Sequence, residues 1–146
     1  MGDVSEKSLL SKRGPIAVPL LGFTFRRQPG PDEHVGIGSM AFKMKIGNRS
    51  PLNLGDSLFL ADWEGLQPTV LMLPIGGIDK KTWTMEVDDA IQAVELIDPE
   101  LVILSLHFRF LRTKKFAVAD DARFKRDVEA LGKRCRILGA GDVVTV

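Results

Sequence analysis

Cysteine is nearly absent from this chain. Cys135 stands alone, which excludes an internal disulfide framework and any multi-cysteine zinc site. It lies just before the apolar pair Ile137-Leu138, so the pattern predicts a buried, inert thiol. Tyrosine is missing, and imidazoles are limited to His34 and His107. No stretch approaches the roughly 18 apolar residues of a membrane span, and the opening MGDVSEKSLLSKRG lacks the apolar run of a secretory signal. A soluble, cytoplasmic protein is expected. Charge of one sign is missing too: 20 Lys and Arg face 19 Asp and Glu, a net charge of +1. That balance gives no electrostatic reason to expect nucleic acid or an acidic membrane as partner.

What the chain has is apolar residues in ordered patterns. With 146 residues, 45% of them hydrophobic, it can bury one core. Residues 1–14 are polar without a lasting period and are expected to be a flexible leader, with a single domain over 15–146. IAVPLLGFTF (16–25) reads as a strand kinked at Pro19. Residues 38–46 alternate Met40, Phe42, Met44 and Ile46 against Ala41, Lys43 and Lys45, the pattern of a strand with one apolar face. After the Gly47-Asn48 turn, residues 52–61 return as another strand, making the front of the chain an antiparallel meander.

From Val70 the pattern changes. VLMLPI is continuously apolar, as in a strand covered on both faces, and ends at Gly76-Gly77. TMEVDDAIQAVELID reads as a helix capped by Thr84, with Val87, Ala90, Ile91, Val94 and Ile97 as its buried stripe and Pro99 as its stop. LVILSL (101–106) is a second covered strand. DARFKRDVEALGKR (121–134) is a second helix, with Phe124, Val128 and Leu131 inward and Gly132 near its end. RCRIL and DVVTV close the chain as short strands around Gly139-Ala140-Gly141. Strands alternating with helices imply a mixed α/β fold with an at least partly parallel sheet.

Polar groups collect where these strands end. Asp56 follows a glycine at one strand end, a common place for a turn residue. His107 follows an apolar strand and is followed by aromatic residues, as a buried histidine bonded to a neighbour would be. Gly76-Gly77 reads either as a tight turn or as backbone amides offered to an anionic substrate group.

The ordered series GDS (55–57), VLMLPIGG (70–77), TMEVDDAIQAVELIDPELVI (84–103) and LHF (106–108) resembles the C-terminal half of the metallo-β-lactamase superfamily, in particular metal-dependent hydrolases related to sugar-phosphate lactonases. The resemblance covers roughly residues 35–146. It implies half of an αββα sandwich: one mixed sheet with helices over one face, and a dinuclear metal site along an edge between the halves. By position, Asp56 resembles the metal-bridging aspartate and His107 the last histidine ligand.

The sequence also departs from that pattern. HxHxDH, the motif that in the family's first half supplies metal ligands, is absent, the histidine expected soon after IAVP is replaced by Leu20-Leu21-Gly22-Phe23, and SLHF stands where the family has a proline and a tyrosine. His34, in a proline-rich turn, reads as a loop histidine rather than a substitute ligand. Asp62 reads as a loop residue before it reads as a third metal-facing carboxylate. A catalytic zinc usually takes about three protein ligands, so Asp56 and His107 do not make a site.

The expectation is a noncatalytic, truncated relative acting as a binding or assembly module, with a homodimer as the simplest way to cover the sheet. The alternative is one subunit of a split hydrolase, completed by a complementary half-domain chain that brings HxHxDH. No cofactor is expected for the isolated chain, and zinc or manganese for a completed site.

Overall fold

The computed structural model describes the backbone of residues 4–11, 16–20, 23–27, 39–77, 84–106, 108–110 and 116–146, and the side chains of 41–77, 84–105 and 119–146. The strands are β1 (Val4–Ser11), β2 (Ile16–Leu20), β3 (Phe23–Arg27), β4 (Ser39–Ile46), β5 (Pro51–Asn53), β6 (Val70–Pro74), β7 (Leu101–Leu106), β8 (Phe108–Phe110), β9 (Phe116–Val118) and β10 (Arg134–Arg136). The helices are α1 (Val87–Ile97), α2 (Asp121–Ala130) and a 3-10 turn at Ala61–Trp63.

Six strands form a mixed sheet in the order β1-β4-β5-β6-β7-β10, while β2-β3 and β8-β9 form separate antiparallel pairs. β5, β6, β7 and β10 run parallel, β4 is antiparallel to β5, and β1 is antiparallel to β4. Parallel neighbours need a crossover to bring the chain back, and α1 supplies it between β6 and β7 and α2 between β7 and β10.

Register builds the core. Leu52, Leu71, Val102 and Cys135 lie side by side across β5, β6, β7 and β10 and are all buried. They join one apolar cluster with Ala90, Ala93, Val94 and Ile97 of α1 and Phe124 and Val128 of α2, so both helices cover the same face. The stripe read for α1 is buried except for Ile91, which is half-buried at the margin of the cluster.

The next row, Phe42, Asn53, Met72, Ile103 and Arg136, points to the opposite face. Phe42, Met44, Met72 and Ile103 are half-buried there, outside the helix-side cluster. Val70 and Leu101, which pair in a neighbouring row, are buried yet likewise outside that cluster.

Several local expectations change. Val4–Ser11, placed in the leader by its polar composition, pairs with the whole of β4, since an edge strand can be recruited by backbone hydrogen bonds without an apolar face of its own. Residues 16–25 are not one kinked strand: Ile16–Leu20 and Phe23–Arg27 pair as a hairpin. The return strand expected over 52–61 ends at Asn53, and the chain then enters a loop and the 3-10 turn. Thr84 does not cap α1; Glu86 occupies that position and Thr84 is buried.

Leu131 is exposed because α2 ends at Ala130, before a further turn can bring it inward. DVVTV forms no strand, and Val143 lies open to solvent. α2 begins at an Asp120 cap whose Oδ1 accepts from Arg123 N at 3.0 Å. Arg123 also bridges to Asp88 and so links the two helices.

The end of α1 is marked at Asp98, whose amide makes the last helical bond to Val94 O before its left-handed backbone (φ 57°) turns the chain away. Its carboxylate accepts from Lys133 and, at 3.1 Å, from Gln67, and these bonds hold it below the ordinary aspartate range.

Phe124 has no exposed surface and joins α2 to the sheet. Phe124→Ala is expected to cost roughly 3–5 kcal/mol in chemical denaturation. A loss below about 1 kcal/mol, the size of a surface change, would contradict the core described here.

Candidate functional site

Because β5, β6 and β7 are parallel and in register at Asn53, Met72 and Ile103, their carboxyl ends open at one edge of the sheet. Asp56 lies three residues past Asn53, and Ile75 three past Met72. The shift between Leu73 and Pro74 brings Pro74 opposite Leu106. Loops beyond the carboxyl ends of parallel strands are where open α/β sheets place ligands.

The loop carrying Asp56 has a defined shape. Leu54 N still donates to Met72 O at 3.0 Å, so the β5–β6 ladder continues one residue past the strand. Asn53 Oδ1 then accepts from Gly55 N at 2.9 Å, closing an Asx turn, and Gly55 takes φ 58°, where a side chain would be strained. Asp56 emerges exposed, while Ser57 is buried with its hydroxyl donating to Leu58 O at 2.9 Å. Asn53 escaped the sequence reading; its place two residues before the glycine was the available signal.

Gly76 and Gly77 are buried. Gly77 N donates to Met85 O at 2.8 Å, so this amide is committed to the segment that leads into α1. An added Cβ at Gly77 would lie 2.5 Å from Thr84 O and 2.6 Å from Met85 C and O. The second glycine therefore permits a close passage of two backbones. Sequence alone carries no signal for that approach, because the Gly76-Gly77 pair reads equally well as an ordinary tight turn.

Asp62 lies exposed in the 3-10 turn, which packs on α1. The next residues are tied to the carboxyl end of that helix by Gly65 N to Leu96 O at 3.2 Å and Gln67 N to Ile97 O at 2.9 Å. That helix end leads into the start of β7, away from the edge that carries Asp56. Trp63 is buried in the same turn, with its ring edge-on to Phe59 at 6.4 Å between centroids, a packing role. His107 and His34 lie outside the described residues.

Among the described residues, no three His, Cys, Asp or Glu side chains come together to hold a metal ion. Asp56 offers a carboxylate oxygen suited to zinc or manganese, but one carboxylate does not fit the requirement of either ion for several ligands. The described donor set does not accommodate a dinuclear centre, and no reaction step follows from it.

Cys135 is 2% exposed, and burial pushes its thiol up to about 11 against a smaller opposing pull from Lys125. It sits at the centre of the buried β10 position, remote in role from the strand-end edge. No helix among the described residues is long and apolar enough to cross a membrane.

No protein-family model matches the chain. A UPF0173 metal-dependent hydrolase from Carboxydothermus hydrogenoformans is 30% identical over 121 residues, covering 80% of this chain and 50% of that protein. A UPF0173 metal-dependent hydrolase from Methanocaldococcus jannaschii is 37% identical over 91 residues, covering 60% and 38%. Igni18, a metallo hydrolase from Ignicoccus hospitalis, superposes with TM-score 0.67 at 21% identity, covering 97% of this chain and 52% of that one. The metallo-β-lactamase fold protein YhfI from Bacillus subtilis gives TM-score 0.62 at 10% identity, covering 95% and 48%.

Two outcomes test these assignments. Gly77→Ala should destabilise the fold by about 1–3 kcal/mol in thermal or urea denaturation, because backbone rather than a flexible side chain must give way; unchanged stability would refute the close passage. Cys135 should resist iodoacetamide at pH 8 until the chain unfolds. Because its folded pKa is raised from 9.0 to about 11, its contribution to stability is complete below pH 9 and is lost as pH climbs through 11. A thiol that reacts at once in the native state would overturn its burial. The mixed α/β sheet has metallo-β-lactamase fold neighbours, the homologues are UPF0173 metal-dependent hydrolases, and the chain spans about half the length of the curated relatives it matches.

Proposed function

We propose that these residues work as a binding or assembly half-domain, without hydrolase activity as an isolated chain, and that the sheet face opposite α1 and α2 docks on a second copy. The observation that carries this reading is the asymmetry of the sheet. Helices α1 and α2 share one face, while on the other Phe42, Met44, Met72 and Ile103 are only half-buried beside the covered Val70 and Leu101. Half-buried apolar side chains of that kind favour a cover, and a symmetric pair is the simplest one. A second copy is also of suitable size, since Igni18 contains about as much chain again beyond the part this chain matches. A cytoplasmic location agrees with the single buried thiol.

A second reading is favoured by Asp56, exposed at the carboxyl ends of parallel strands in a chain whose homologues are metal-dependent hydrolases. Here a complementary half-domain chain carrying HxHxDH supplies the missing donors, and Asp56 and His107 join them around zinc or manganese. Neither Gly76 nor Gly77 is needed as a substrate donor in this reading, because the Gly77 amide is already engaged by Met85.

Metal analysis and activity on the same purified sample separate these readings. The isolated chain should hold less than stoichiometric zinc or manganese and hydrolyse neither a phosphoester nor a lactone. Stoichiometric metal with hydrolysis, both abolished by Asp56→Ala, would overturn the noncatalytic reading. Uptake that appears only after addition of an HxHxDH-bearing chain, and is lost in Asp56→Ala, would establish the second.

A further inference from the structure

We draw no further inference here: the strongest candidate, the sheet face opposite α1 and α2 bearing half-buried Phe42, Met44, Met72 and Ile103, is the assembly surface already proposed, and nothing among the described residues shows what covers it.

Discussion

The lateral alignment of Leu52, Leu71, Val102 and Cys135 is the constraint on which the rest depends. Four buried side chains from four parallel strands make one continuous floor for α1 and α2. A slip of one residue in any strand would turn its apolar set to the opposite face and expose the helices' stripes. The same register fixes the heights at which the strands end. Packing energy on the helix side thus determines which polar groups share the sheet edge, although none of those groups contributes to the packing.

That separation explains how the described residues keep this architecture while no three of their His, Cys, Asp or Glu side chains come together. The Asx turn at Asn53 and the left-handed Gly55 are local devices, and they present Asp56 whether or not other ligands surround it. Gly77 contributes differently, by letting the segment at Thr84 and Met85 pass close to the end of β6 and enter α1 at the required place. The close backbone passage alone requires a glycine there. The resemblance of these turns to a hydrolase edge therefore measures shared architecture, and activity has to be judged from the ligands that meet there.

Much of the helix-side core was legible in the sequence because its periods are long and unbroken. Val87, Ala90, Val94 and Ile97 announce α1, and the apolar runs at 70–74 and 101–106 announce the central strands. Short elements were less legible because their boundaries depend on distant partners. β1 exists through pairing with β4, β5 stops after three residues because Asn53 turns the chain, and Leu131 is exposed because α2 ends one residue earlier. In the candidate site, the strand-end position of Asp56 could be read from Gly55-Asp56-Ser57. The engagement of Gly77 could not, since it arises from tertiary contact.

If a second copy covers the sheet face opposite α1 and α2, as proposed, the chain is a dimer in solution. Static light scattering across a concentration series tests it most directly. A dimer is expected, twice the 16.1 kDa chain mass, that dissociates when Met72→Glu places a charge on the sheet face opposite α1 and α2 while circular dichroism stays unchanged. A 16.1 kDa species at every concentration, identical for wild type and variant, would contradict it.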